Sequence, residues 1–200
     1  MFHHWNFLRK LIGARYYLSD YEKSLGPLNL TEDDRSPRDN DGHGTHTAST
    51  VGGRIVPNTS AIGGFAHGTA SGGAPLVRLA IYKVCWPKPN HSKVEGNTCY
   101  EEDMLAAIDD AINDGVNVLS ISIGTESPSP YDQDGIAIGT FHALKKNIVV
   151  ACSAGNSGPS PSTLSNTAPW VITVGASSVD REFVAPVVLG NGMRLEVRST

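Results

Sequence analysis

From Pro75 onward, short runs of β-branched and aliphatic residues alternate with segments of helical periodicity. The alternation predicts strands at 77–84, 116–123, 148–152 and 170–175, and helices at 101–114 and 134–146. Repeated strand–helix–strand units favour a parallel sheet with right-handed crossovers. We therefore predict an α/β fold in which a parallel sheet is flanked by helices.

Three further segments refine this expectation. The run 148–152 is almost entirely apolar, which predicts a strand buried on both faces. Residues 184–197, interrupted by Gly190-Asn191-Gly192, predict a C-terminal β-hairpin with an Asn-Gly turn. Residues 19–42 are polar and are predicted to form a loop.

Length and charge limit the classes of function. Two hundred residues suit one domain with a sizeable core. The net charge of −4 and the lack of a basic cluster argue against a nucleic-acid partner. No run approaches the roughly 18 apolar residues of a membrane span. The first ten residues are too short and too polar for the core of a signal peptide, so we expect no export signal in this chain.

Other features point towards the secretory route. Asn29, Asn58 and Asn90 each begin an Asn-x-Ser/Thr triplet, the acceptor pattern for N-glycosylation, although such triplets also arise by chance. Cys85 and Cys99 bracket a polar loop and could close it as a disulfide, but free thiols are equally compatible with the spacing. The sequence contains no Cys-x-x-Cys pair, which disfavours a zinc site or a thioredoxin-like redox site.

One candidate for chemistry is His43, in the segment Asp41-Gly42-His43-Gly44-Thr45-His46. Small residues from Thr45 to Val51 predict a helix that begins at this histidine. An imidazole held there can act as a general base near neutral pH. In isolation, a turn histidine without a chemical role would be the better interpretation. A metal site on His43 and His46 is disfavoured because no third ligand is nearby in sequence.

A second candidate is Asn156, which follows the apolar run 148–152. An amide donor held at a strand end can stabilise the oxyanion of an acyl-transfer reaction. Ser153, Ala154 and Gly155 precede this asparagine, and Ser122, Ile123 and Gly124 end the preceding predicted strand. Taken alone, Asn-Ser-Gly is an ordinary turn sequence.

The longer segments around these candidates resemble the plant subtilisin-like serine proteases. Residues 36–51 are similar to the histidine segment of that family, and 153–159 are similar to its oxyanion segment. The resemblance extends to 10–17, 68–85 and 168–180 and covers the chain from Lys10 to about Leu195. It implies a partial peptidase domain over 10–200, preceded by a non-matching segment, 1–9.

The resemblance also implies roles for individual residues. His43 would be the general base and Asn156 the oxyanion donor, whereas His46 would be structural. Two segments would line a channel for a peptide or protein substrate: Ser122, Ile123 and Gly124 in one, and Ser153, Ala154 and Gly155 in the other. The chemistry requires no cofactor and no metal. Because proteins of that family are usually secreted to the cell wall space, the resemblance implies an extracellular, apoplastic protein.

Two motifs of that family do not occur in the 200 residues. The Asp-Thr/Ser-Gly segment and the Gly-Thr-Ser-Met segment would carry the aspartate and the serine of the triad. Asp39 and Asp41 are too close in sequence to His43 to replace an aspartate that normally arrives on another strand. We therefore expect the isolated chain to lack peptidase activity and to fold poorly.

Two competing functions remain. The main alternative is a truncated, non-catalytic product that binds a peptide or a partner. A nucleotide-binding α/β domain is more distant, because the Gly-rich segment 63–73 precedes a predicted strand instead of joining a strand to a helix.

Overall fold

The computed structural model describes residues 10–89, 91, 96–125, 128–178 and 184–198. The segment 1–9 therefore lies outside the described residues. The strands are β1 (Leu11–Tyr16), β2 (Val56–Thr59), β3 (Gly68–Ala70), β4 (Leu79–Lys83), β5 (Cys85–Pro87), β6 (Asn97–Cys99), β7 (Val118–Ile121), β8 (Val149–Ser153), β9 (Ile172–Val174), β10 (Val184–Val188) and β11 (Arg194–Arg198). The helices are α1 (Ser19–Leu25), α2 (His43–Gly52), α3 (Glu101–Asn113) and α4 (Gly135–Lys145).

The strands form parallel and antiparallel groups. A three-stranded parallel sheet has the order β7-β8-β9, and a separate parallel pair joins β1 to β4. Antiparallel pairs join β2 to β3, β5 to β6 and β10 to β11. The predicted α/β class with parallel strands and a C-terminal hairpin is confirmed.

Helices α3 and α4 cover one face of the three-stranded sheet. The strands contribute every second residue to a shared apolar core, and the helices contribute every third or fourth residue. These spacings are the periodicities of a strand and of a helix. The buried members of this core are Ile108, Ala111, Leu119, Ile136, Ala143, Ile148, Val150 and Cys152. Asp134 begins α4 by accepting hydrogen bonds from the backbone N–H groups of Ile136 and Ala137 at 2.9 and 3.1 Å.

The opposite face of this sheet is exposed, and the prediction that 148–152 is buried on both faces was wrong. Val149 is 50% exposed, whereas its neighbour Val150 is 2% exposed. The exposed apolar residues of this face, here called the open face, are Val118, Val149, Ile172 and Val174. The physical reason is that the helices α3 and α4 pack on one side only.

Residues 19–42 are not loop throughout, because α1 occupies Ser19–Leu25. The carboxylate of Asp103, buried in α3, accepts hydrogen bonds from the backbone N–H groups of Asp20 (3.1 Å) and Tyr21 (3.0 Å). These are N–H groups that the first turn of a helix cannot satisfy internally. A distant carboxylate therefore supplies the N-terminal cap that the local sequence lacks.

A second cluster surrounds Trp86, which is fully buried. It contains Leu18, Tyr21 and Leu28, and the Trp86 indole donates to the backbone oxygen of Tyr17 at 2.6 Å. Cys85 and Cys99 face each other across β5 and β6 and are joined by a disulfide. The covalent link therefore closes the loop beside this cluster.

The C-terminal hairpin turns through Gly190 and Asn191, since the Gly192 N–H donates to the Leu189 carbonyl at 2.8 Å. Gly192 follows in a left-handed conformation, with φ of +82°. The loop is thus a turn followed by a glycine bulge, a common three-residue hairpin connection. The predicted hairpin is present, with its turn centred one residue earlier than Asn-Gly.

Val150 and Val149 lie on opposite faces of β8, so the same Val→Thr substitution should affect stability differently at the two positions. Val150→Thr would bury a hydroxyl in the apolar core and should lower the free energy of unfolding by about 1–3 kcal/mol. Val149→Thr, on the open face, should leave it within about 0.5 kcal/mol and should reduce self-association of the purified chain. Urea unfolding and light scattering after size exclusion measure the two effects. Equal losses of stability in both variants would contradict the one-sided packing.

The disulfide gives a second expectation. Closing a loop with a sequence separation of 14 restricts the unfolded chain, and such a link contributes about 3 kcal/mol. The Cys85→Ser/Cys99→Ser double variant should therefore lose about that much stability. Dithiothreitol should lower the melting temperature of the unmodified chain but not that of the double variant. An equal response to dithiothreitol would show that the link does not form in solution.

Candidate functional site

Two predicted channel segments lie side by side at the carboxyl ends of neighbouring strands. Ile121 of β7 is the register partner of Cys152 of β8, so residues 122–124 leave the sheet beside Ser153, the last residue of β8, and beside 154–155. The Ser153 hydroxyl reaches the Ile123 carbonyl oxygen at 3.5 Å. Ala154 is buried, whereas Gly124 and Gly155 are exposed. Here we call residues 122–124 and 153–155 the two walls.

Asn166 joins the two walls and was not identified by the sequence analysis. Its side-chain amide donates to the Ile123 carbonyl at 2.7 Å and to the Ser153 carbonyl at 2.8 Å. The preceding residue, Ser165, donates its backbone N–H to the Ala154 carbonyl at 3.0 Å. No periodicity or short motif marks Asn166; the only hint is that asparagine tolerates the left-handed conformation, and its φ is +54°.

Asn156 lies just beyond the second wall. Gly155 has φ of +88° and turns the chain out of β8, so Asn156 is exposed at the sheet edge. The amide therefore stands at the carboxyl end of the sheet, where ligands of parallel α/β proteins commonly bind. This position is compatible with donation to a bound carbonyl oxygen.

His43 is the first residue of α2, as the sequence predicted, and it is exposed. Its backbone N–H donates to the Asp41 carboxylate at 3.3 Å. Within the described residues, no hydrogen bond or ion pair joins its imidazole to either nearby aspartate. His46 lies about one turn further along the same helix and is also exposed.

Asp39 fixes the start of this helix. Its carboxylate accepts hydrogen bonds from the Gly42 N–H at 2.8 Å and from both the N–H and the hydroxyl of Thr45 at 2.6 Å. Partial burial raises the pKa of this carboxyl, but the hydrogen bonds from Thr45, Gly42 and Asp41 outweigh that effect and lower the pKa to about 2. Asp39 and Asp41 thus bind backbone groups, and in the described part of the chain neither carboxylate is hydrogen-bonded to the imidazole.

The other end of α2 is held by the Gly-rich segment. The N–H groups of Gly72, Gly73 and Ala74 donate to the carbonyl oxygens of Gly53, Thr50 and Val51, each at 2.9 Å. These include carbonyls of the last turn, which have no partner inside a helix. Both ends of the helix that carries His43 are therefore fixed by neighbouring segments.

The structure brings some predicted residues together and leaves others apart. The walls and Asn156 are contiguous, whereas His43 lies on a different element, and within the described residues no hydrogen bond connects it to the walls. Asn29 and Asn58 are exposed, as a glycosylated asparagine must be. Asn90 lies outside the described residues.

Two further classes of site find no support among the described residues. No group of three or more His, Cys, Asp or Glu side chains there could hold a metal ion. No helix in the same part of the chain is long and apolar enough to cross a bilayer.

Comparison with protein families gives one match over most of the chain. A family model described as the subtilase family, peptidase S8, matches residues 10–187. Two Arabidopsis thaliana proteins, subtilisin-like protease SBT5.6 and subtilisin-like protease SBT5.5, are 67% and 63% identical over 96% and 94% of this chain. Subtilisin-like serine-protease S of Lotus japonicus is 50% identical over 94% of it. The chain spans 24% of the length of each of these relatives.

The fold also resembles a solved structure. A mutant of the protease domain of PatA superposes with a TM-score of 0.53 at 21% identity, covering 84% of this chain and 50% of that one. At this identity the likeness concerns the fold alone.

The hydrogen bonds of Asp39 give a pH-dependent expectation. Asp39→Asn keeps the shape of the side chain but loses its charge, and should lower the free energy of unfolding at pH 7 by about 1 kcal/mol, because hydrogen bonds to a carboxylate are stronger than those to a neutral amide oxygen. The folded-state pKa is lowered, so this contribution is complete above about pH 4 and is lost as the pH falls towards about 2. The stability gap between the two proteins should therefore close over that interval.

Urea unfolding between pH 7 and pH 2.5 measures this gap. Asp132→Asn is the matched control, because Asp132 is exposed and its carboxylate has no hydrogen bond within the described residues. A gap for Asp39→Asn that stays constant with pH would contradict the role of its charge.

Proposed function

The chain belongs to the subtilase family, and from that membership we propose that it is part of a serine endopeptidase that cleaves peptide bonds by acyl transfer. The proposal includes a peptide or protein as the substrate and no cofactor. The catalytic serine and the triad aspartate would come from sequence outside these 200 residues. The relatives it matches are about four times longer, which is compatible with that division.

In the proposed reaction, His43 acts as the general base. Its imidazole would take the proton of the serine hydroxyl while the serine oxygen attacks the scissile carbonyl carbon. The same imidazole would then give the proton to the leaving amine, and water would release the acyl group by the reverse sequence. The fixed ends of α2 support this role, because a base must be held at one position to act efficiently.

Asn156 is proposed to stabilise the negative charge that develops on the carbonyl oxygen. A donor that is already oriented costs no reorganisation when the charge appears. The walls are proposed to accept the extended substrate backbone, since a peptide can add to the free edge of a strand by main-chain hydrogen bonds. The adjacency of the two walls and Asn156 is the single observation that carries the proposal.

We also propose that the protein is extracellular. The Cys85–Cys99 disulfide is typical of an oxidising compartment. Asn29 and Asn58 are exposed acceptor sites that could carry glycans there. Treatment of the protein isolated from its native tissue with a glycan-removing amidase should reduce its apparent mass, and Asn29→Gln and Asn58→Gln should each remove part of that shift.

The alternative is a binding protein without catalysis. It is favoured by the absence of Asp-Thr/Ser-Gly and Gly-Thr-Ser-Met from the 200 residues. Complete sequencing of the transcript separates the two proposals. Codons for both motifs in the same reading frame would support the peptidase, and their absence would leave the binding protein.

The isolated 200-residue chain should not hydrolyse a fluorogenic peptide. Without the nucleophile, only oxyanion stabilisation and binding remain; in subtilisin itself, from which this figure is borrowed, loss of the serine or the histidine costs about 2 × 10⁶ in turnover. Turnover that a serine-directed fluorophosphonate abolishes would overturn this expectation.

If a longer product exists, two substitutions test the assigned roles. His43→Ala should abolish turnover, whereas Asn156→Ala should reduce kcat by about 10²–10³ with little change in KM, a figure again taken from subtilisin. Asn113→Ala, an exposed position at the end of α3, is the control. Normal activity of His43→Ala would exclude the proposed mechanism.

A further inference from the structure

Two consecutive residues from the segment between β8 and β9, Ser165 and Asn166, contact both walls. Ser165 is 1% exposed and Asn166 is 6% exposed, although both side chains are polar. Burial of an amide costs free energy unless its hydrogen bonds are made. This cost indicates that the pair has a defined task at the site.

Asn166 satisfies its side-chain donors on both walls at once. One N–H group points to the Ile123 carbonyl at 2.7 Å and the other to the Ser153 carbonyl at 2.8 Å. The two acceptors belong to different walls, so a single planar amide fixes the distance between them. The Asn166 backbone carbonyl in turn accepts a hydrogen bond from the Thr173 hydroxyl of β9 at 2.5 Å.

The Ser165 side chain packs against the glycine of each wall. Its hydroxyl oxygen is buried and has no hydrogen-bond partner within the described residues. The same oxygen occupies the space where a side chain at Gly124 would begin, and a Cβ at Gly155 would lie 3.0 Å from it. Glycine on both walls therefore lets this residue enter between them.

We propose that Asn166 is a positioning residue of the peptide-binding channel, which sets the separation of the two walls and thereby the placement of Asn156. The inference rests on the proposed function, because it assumes that the walls accept a peptide. Asn166 does not contact the substrate in this proposal. It acts through the carbonyls of Ile123 and Ser153.

The test uses the 200-residue chain and a defined probe, the fluorescein-labelled pentapeptide Ala-Ala-Ala-Ala-Phe amide. Asn166→Asp keeps the size of the side chain and tolerates the same backbone conformation, but at pH 7.5 it directs a carboxylate at two carbonyl oxygens. Asn147→Asp is the matched control, since it makes the same chemical change at an exposed asparagine whose backbone is also left-handed, with φ of +58°. Fluorescence anisotropy measures the peptide affinity, and far-ultraviolet circular dichroism verifies that each variant is folded.

We expect Asn166→Asp to bind the peptide about tenfold more weakly at pH 7.5, as expected for loss of buried hydrogen bonds. Its affinity should recover at lower pH, because a protonated carboxyl can again donate to one wall. The unmodified chain and Asn147→Asp should not show this recovery. A general loss of stability would not restore binding on acidification, so the pH profile distinguishes positioning from a structural role.

Hydrogen exchange separates failure of this inference from failure of the proposed function. If the unmodified chain binds and Asn166→Asp binds equally well at pH 7.5, the inference is overturned. If the unmodified chain does not bind, that result counts against the proposed function, and the amides of 121–125 and 152–156 decide the inference. Faster exchange there in Asn166→Asp than in Asn147→Asp supports the positioning role, and equal exchange overturns it.

Discussion

The packing of α3 and α4 against one face of β7-β8-β9 is the interaction on which the site depends. Ile108, Ile136 and Val150 interlock across this interface and fix the rotation and register of the strands. Because the register is fixed, β7 and β8 end side by side and their following residues meet at one edge. Ile123 of the first wall also packs against this core, so the core positions the walls, Asn156 and the Asn166 link.

The second parallel pair is attached to this core by charge. Arg15 of β1 bonds the carboxylates of Asp110 and Asp114 at 2.9 and 2.7 Å, while the Tyr17 and Tyr82 hydroxyls donate to the same two carboxylates. Burial and the hydrogen bond to Asp110 raise the pKa of Tyr17. Since Arg15 and both acids are partly shielded from water, the network is less weakened by solvent than a surface pair. Within the described residues, no backbone hydrogen bonds pair β4 with β7. Asp110 and Asp114, at the C-terminal end of α3, therefore link the two sheets through their side chains.

The sequence predicted those elements whose cause is local and missed those whose cause is distant. The acidic first turn and the apolar periodicity of 101–114 were sufficient for α3, and the residues flanking His43 were sufficient for α2. Helix α1 was missed because its cap comes from Asp103, which is 83 residues away from Asp20. Asn166 was missed for the same reason, since its partners are carbonyl groups of two strand ends. The open face was misjudged because composition reports how apolar a strand is and not how many of its sides are covered.

The position of Cys152 has a consequence for how the covalent link of this chain forms. Three cysteines allow three pairings, of which the chain uses only Cys85 with Cys99. Cys152 lies in the core beneath α3 and α4, where burial, together with the nearby charge of Asp134, raises the pKa of its thiol to about 11. Only a thiolate attacks a disulfide, so the buried, protonated Cys152 thiol does not attack the Cys85–Cys99 disulfide in the folded chain. Folding of the core thus protects the correct pairing from exchange.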